Sequence, residues 1–219
     1  MARIAKRGRR VVIGDDDPTL TGHAGLVLVA ELDRVLGIAS TIDAVVGPIK
    51  KRRQGLGAGG LVLAAAEMML AGGDFMCDLD VQRDDVAGRE LRAVPAIPAS
   101  PTFIGLTKRF DAPVFAGFET ANGLLVAGWL ALLDVERREA LAGVRPTLDL
   151  DPTDVEVYGP KKEAMAYNRH GQLVGRPHPV VWAEAGVVVA ADLGDGRTDP
   201  RPQAPGLIRR AVAALRDGL

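Results

Sequence analysis

PTLDLDPTDVEVYG, residues 146–159, decides how this chain is read. Leu148 and Leu150 alternate with Asp149, Asp151 and Thr153, and a period of two marks a strand with one apolar face. The alternation sets both aspartates and Thr153 on the same side, opposite the leucines. Two carboxylates that close repel each other, and one of them holds a proton unless a cation lies between them. Mg²⁺ or Mn²⁺, which prefer hard oxygen ligands, suit such a pair. The bland alternative is two solvated aspartates on the wet face of a strand end.

Downstream, PVVWAEAGVVVAADL (179–193) holds two β-rich runs split near Ala185-Gly186, the pattern of a hairpin. A Gly/Asp/Pro loop follows. GLIRRAVAALRDGL then reads as an amphipathic helix with Leu207, Ile208, Val212 and Leu215 on one side. The order is β-β-β-α.

Upstream the periodicity is helical. In AGLVLVAELDRVLG (24–37), Leu28, Leu32, Val35 and Leu36 form the expected apolar stripe, with Glu31, Asp33 and Arg34 on the wet face. Thr21 is the expected cap and Gly37 the stop. A second short helix over 39–46 breaks at Gly47-Pro48, and a third, buried one covers 58–71 around Glu67. Pro95, Pro98 and Pro101 delay the next helix until Ser100, which with Pro101 suits the cap and first turn. Residues 114–133 are helical again, with Trp129 in the core. The fold class is therefore α+β, an all-α N-terminal region followed by a β-β-β-α unit.

The 47% hydrophobic content with 25% charged residues excludes wholesale disorder, and only 4% aromatics favours helices packed through small side chains. A net charge of −1 announces no partner, but the cations are uneven. Arg3, Lys6, Arg7, Arg9 and Arg10 form one run, and Lys50, Lys51, Arg52 and Arg53 another. Clustered cations of this kind neutralise phosphates and release counterions. Lone Cys77 excludes an internal disulfide and a cysteine metal cluster, and fits a reducing, cytoplasmic setting. Three scattered histidines make no metal site. LVLAAAEMMLAG (61–72) is too short for a membrane span and carries Glu67 in its middle.

Asp149-Leu-Asp151-Pro-Thr153 resembles the Asp-x-Asp-x-Thr signature of haloacid-dehalogenase-like phosphatases, and GDGRTD (194–199) mimics their metal loop. That fold needs several strand–helix crossovers between the two motifs, and about 40 residues of hairpin-like sequence do not hold them. A broader resemblance is to the DDE transposases of bacterial insertion sequences, in the group 1 DDE domain family. It runs through LTGHAGLVLVAELDRVLGI (20–38), LVLAAAEMMLAGGDFMCDLDVQRDD (61–85), SPTFIGLTKRF (100–110), PTLDLDPTDVEVYGPKKEAMAYNRHG (146–171) and the final loop and helix. Tyr158 stands where a histidine is common in that family, which leaves its own role open.

The resemblance implies a ribonuclease H-like catalytic domain, incomplete here, whose carboxylate triad holds two Mg²⁺ or Mn²⁺ ions for DNA phosphoryl transfer. It makes Asp151 of Asp151-Pro152-Thr153 the first catalytic carboxylate and metal ligand, with Asp149 a weaker candidate. The second Asp and the later Glu are expected beyond the helix over 204–216, so the expectation is a truncated fragment, inactive alone. The domain reading is a basic, disordered arm over 1–19, a helical region over 20–142 that recognises DNA ends, and a truncated catalytic domain over 143–219. DNA contacts are expected from Lys50, Lys51, Arg52, Arg53, Lys108 and Arg109 to the terminal inverted repeats. An unfinished sheet also invites self-association. A DNA-end-binding regulator without chemistry is the rival reading.

Overall fold

The computed structural model describes residues 3–6, 9–12, 19–51, 54–159, 162 and 165–216. The chain forms two compact units, Met1–Ala39 with Ile49–Arg109, and Ser40–Pro48 with Phe110–Leu219. The helices expected as one region over 20–142 are thus shared between the units.

In the first unit, β1 (Arg3–Lys6) pairs antiparallel with β2 (Arg9–Val12), Arg3 opposite Val12. Part of the segment expected as a disordered arm is therefore a two-stranded ribbon, while residues 13–18 lie outside the described ones. A 3-10 turn (Ala24–Leu26) leads into α1 (Val27–Leu36), which ends at Gly37 with a left-handed φ of 64°. The stop is as expected; the buried face is not. Leu28 is 74% exposed, and Asp33 is half-buried with its Oδ1 accepting the Ala39 N–H at 2.8 Å. VLVAELDRVL does gather Leu28, Leu32, Val35 and Leu36 on one side, but Leu28, Leu32 and Val35 stay exposed while Val29, Ala30, Asp33 and Leu36 are half-buried, so packing and not periodicity sets the covered face. Thr21 is not a helix cap either. Its Oγ1 donates to Asp85 at 2.6 Å and accepts the His23 N–H at 3.0 Å.

The division between units falls within α2 (Ile38–Val46), which closes at Gly47. α3 (Ala58–Leu70) is the expected buried helix, with Leu61, Leu63, Ala64 and Met68 in the core. Gly59 is required there, since a Cβ would stand 2.1 Å from the Ala39 carbonyl oxygen. Glu67 is fully buried and accepts the N–H groups of Ala93 (2.7 Å) and Val94 (3.3 Å). Burial pushes its carboxyl above the ordinary range, and those two bonds hold it back. Buried Arg92 donates to the Gln82 carbonyl of α4 (Asp78–Asp84). In α5 (Ser100–Thr107), Ala99 takes the cap position expected of Ser100. Ser100 instead spends its N–H (3.1 Å) and Oγ (2.6 Å) on Asp80, a tertiary partner twenty residues back that local sequence cannot show.

The second unit packs helices on one sheet. α6 (Ala112–Leu132) is capped by Asp111, and α7 (Val135–Ala142) by Asp134, each accepting an N–H three residues on. α6 is long and apolar enough to cross a membrane by length and composition, and its Val126 and Leu130 lie in the sheet's core. β3 (Leu148–Leu150), β4 (Val155–Glu156), β5 (Ala166–Tyr167) and β7 (Val187–Asp195) all pair antiparallel with β6 (Leu173–Trp182). The β6–β7 hairpin turns at Gly186, φ 68°, where its sequence signal lies. α8 (Ala204–Arg216) adds Leu207, Ala211 and Leu215 to a core of Trp182, Val180, Val189, Leu130 and Leu141. Ile208 and Val212, expected on its buried side, are each 39% exposed. No pair in this sheet is parallel among the described residues, which removes the phosphatase reading and its crossover-built sheet.

Candidate active site

β3 and β4 are one line along β6. Leu148 faces Trp182, Leu150 faces Val180, Val155 faces Gly175 and Glu156 faces Val174, leaving four residues on each side between them, 151–154 and 176–179. The register is unbroken, yet the ladder opens over these four. Pro152, Pro177 and Pro179 lie in the gap and have no N–H to give. Thr153 N–H still reaches the Pro177 carbonyl at 3.1 Å. A residue's N–H and C=O leave a strand on the same side, so Pro177 returns no donor to Thr153. The sequence thus holds the strand in place while freeing the segment that begins at Asp151.

Asp149 is exposed between half-buried Leu148 and Leu150, as the alternation requires, and Asp151 is exposed just past the end of β3. The leucines pack against the sheet's core. The outer edge of this first strand has no partner strand among the described residues.

Beyond Asp151 lies a polar network. Arg176 sits across the gap from Asp154 and donates Nε to Asp154 Oδ1 at 2.7 Å. Its other nitrogens reach the carbonyls of Gly196 (2.8 Å) and Thr198 (3.2 Å). Asp154 also accepts from Asn168 Nδ2 at 3.1 Å. The Arg176 and Asn168 hydrogen bonds hold the Asp154 carboxyl below its usual range. Backbone N–H groups of Thr198 and Arg197 do the same for Asp195, and Arg201 takes Asp199 down to about 2. These groups surround an open cleft of 940 Å³ lined by Pro152–Asp154, Tyr167–His170 and the loop after β7.

A metal centre is a separate matter. Among the described residues no three His, Cys, Asp or Glu side chains cluster well enough to hold an ion. Asp149 and Asp151 therefore do not fit a two-metal site by themselves. His178 is buried in β6, and His170 accepts the Arg169 Nε at 3.1 Å in a turn.

The basic residues singled out in the sequence divide. Lys50, Lys51 and Arg109 line one cleft of 790 Å³ in the first unit, with Gln54, Leu56, Pro98 and Thr102. Lys50 Nζ donates to the Leu56 carbonyl at 2.5 Å, and Arg109 reaches that of Ile49 at 3.5 Å. Lys108 is exposed at the end of α5 and is not part of that lining. Arg52 and Arg53, and the side chains of the 3–10 run, lie outside the described residues.

A sequence model of the transposase DDE domain group 1 family matches residues 4–219, nearly the whole chain, and includes this strand and both clefts. The chain belongs to that family. Searches of curated proteins and of solved structures gave no match. DDE domains are generally ribonuclease H-like and use divalent metal, and a transposase-related function follows. Sequence reading missed Asp154, Asn168 and Arg176. The signal for Asp154 and Arg176 was the register of β6, in which 154 must face 176; Asn168 with Gly171 was legible as a turn.

Proposed function

We propose that this DDE chain binds the ends of a mobile DNA element and presents Asp151 as the first carboxylate of the catalytic set. The observation that carries this is the placement of Asp151 at the opened ladder of the sheet's first strand, within a family match covering 4–219. Residues 148–216 are read as the leading β-β-β-α part of a ribonuclease H-like domain. The edge of β3 and β4, which has no partner strand among the described residues, is where a strand of a second copy would add. Lys50, Lys51 and Arg109, which line one cleft, supply phosphate contacts together with Arg52, Arg53 and Lys108. The exposed, unpaired Cys77 fits a cytoplasmic setting.

Strand cleavage needs more carboxylates than the described residues bring together. The chain by itself is therefore expected to bind DNA ends without cutting them. The test is binding to duplexes carrying the inverted repeats that flank its coding sequence, with cleavage assayed in Mg²⁺ and in Mn²⁺. Expected are salt-dependent binding, a slope lowered by about one in Lys51→Ala and in Arg109→Ala, and intact strands. Equal affinity for unrelated duplex would defeat the end-binding reading, and nicking by the purified chain would defeat its inactivity. In a cell-based excision assay in which the further carboxylates are supplied in trans and the native chain supports excision of the element, Asp151→Asn should abolish excision while Asp149→Asn only reduces it. Survival of excision in Asp151→Asn removes the assignment.

A further inference from the structure

The cleft whose lining begins at Pro152, the residue after Asp151, has two built walls. One is the turn after β5. There Asn168 Oδ1 accepts the N–H groups of His170 (2.9 Å) and Gln172 (3.1 Å), while the Asn168 N–H reaches the Gln172 carbonyl at 2.9 Å. The other is the loop after β7, where Asp195 accepts the N–H groups of Arg197 (2.8 Å) and Thr198 (2.6 Å). Arg176 ties that loop to Asp154, so both walls are anchored to the strand that carries Asp151. Gly196 lets them approach, since a Cβ there would lie 2.1 Å from Val174 Cγ2 and 2.9 Å from the Ala166 carbonyl.

The charges in the lining are not balanced. Four arginines (169, 176, 197, 201) stand against two aspartates, 154 and 199. Arg176 is consumed by Asp154, and Arg201 by Asp199 at 2.7 Å. That leaves one exposed arginine on each wall. Arg169 touches only the His170 ring, and the Arg197 side chain has no hydrogen-bond or ion-pair partner among the described residues. Tyr167, 65% exposed, lines the same cleft, and its backbone is held opposite Leu173 in the β5–β6 ladder.

An exposed aromatic ring in a cleft that also presents two guanidinium groups without carboxylate partners is suited to one polymer in particular. Cations track a phosphate backbone, and the ring stacks on a base. Within a duplex both faces of a base are already stacked, so away from a terminal pair a base offers its flat face only where the strand is unpaired. We propose that this cleft seats an unpaired nucleotide segment next to Asp151, with Tyr167 stacking on a base and Arg169 and Arg197 holding the flanking phosphates. This deepens the reading of the chain as a DNA transposase and rests on it.

The test is fluorescence anisotropy on the full chain with two labelled probes, a short single-stranded DNA oligomer and a blunt duplex carrying the inverted repeat. Circular dichroism checks that each variant is folded. Tyr167→Ala should weaken single-strand binding by about tenfold, and Tyr167→Phe should restore it to within about twofold. Arg169→Ala and Arg197→Ala should each lower the salt slope for the single strand by about 0.7. Lys51→Ala and Arg109→Ala should affect the duplex alone. If duplex-end binding is present but Tyr167→Ala holds the single strand as the native chain does, the cleft proposal is overturned and the transposase reading stands. If single-strand binding depends on Tyr167 but repeat ends are not preferred, the end-binding reading fails and the cleft stands. A chain that binds neither probe refutes both.

Discussion

The core around α3 encloses Glu67, Gln82 and Arg92, whereas the core beneath the sheet is made of Trp182, Val180, Val189, Leu207, Ala211 and Leu215. Both units bury their helices, but they handle polar groups in opposite ways. In the first, Glu67 accepts the N–H groups of residues 93 and 94 and Arg92 donates to a carbonyl of α4, and together they fix where the segment around 92–94 runs. In the second, the tightest polar network stands at the open cleft, where Asp154, Arg176 and Asn168 shape a surface instead of filling a core. Polar groups inside a core define one arrangement of the chain. At a rim they leave charge over for a ligand.

The largest effect should come from the apolar core. Trp182 is fully buried and sits opposite Leu148 on β3. Trp182→Ala should cost about 3–5 kcal/mol, read as a lower urea midpoint through the fluorescence of Trp129, the other tryptophan of the chain. A loss below about 1 kcal/mol, under the range for such a truncation, would mean that the sheet's core is not the support of the first strand.

Next is the polar core. Glu67→Ala leaves the Ala93 and Val94 N–H groups without their acceptor, at about 1–3 kcal/mol for each buried donor left unmade. Glu67→Gln should cost less, because its side-chain carbonyl keeps one of the two bonds. Hydrogen exchange at amides 93 and 94 separates local from global loss. Unchanged exchange in Glu67→Ala would show that the buried carboxylate does not organise that loop, and the contrast between the two cores would fall.

The same contrast explains what was legible in the sequence. Period-two alternation put Asp149 on the wet face and Leu148 and Leu150 against the core, and the Ala185-Gly186 signal located the hairpin. These features are local. Asp33 and Ser100 were misassigned because their partners, Ala39 N–H and the Asp80 carboxylate, are set by tertiary packing. In α1 the apolar stripe was legible, but its burial was not, because Leu28, Leu32 and Val35 stay exposed and a stripe is covered only where another element packs on it. At the proposed site, the motif is what singles out Asp151. The Asp154–Arg176 pair, 22 residues apart, was not legible, because it exists only once β6 adopts its register.

The smallest effect is one of sign in acid. In the second unit Asp154, Asp195 and Asp199 all have folded pKa values below the ordinary 3.8, Asp199 at about 2. A lowered carboxyl binds fewer protons folded than unfolded, so its contribution is complete above about 3.8 and is lost as pH falls through the folded value. The cleft walls should therefore loosen between about pH 4 and pH 2, with faster exchange at amides 197 and 198, whose acceptor is Asp195. Asp154→Asn should remove the part of that acid response carried by Arg176. Glu67 behaves oppositely. Its raised folded pKa makes its contribution complete below its ordinary 4.5 and lost as pH rises through the folded value. The stability difference between the native chain and Glu67→Gln, measured by urea titration at successive pH values, should therefore shift against the native chain as pH rises above 4.5. A difference that is flat in pH, or that moves toward the native chain as pH rises, would show that the two N–H bonds outweigh burial at Glu67. The buried carboxylate of the first unit would then belong with the rim carboxylates of the second.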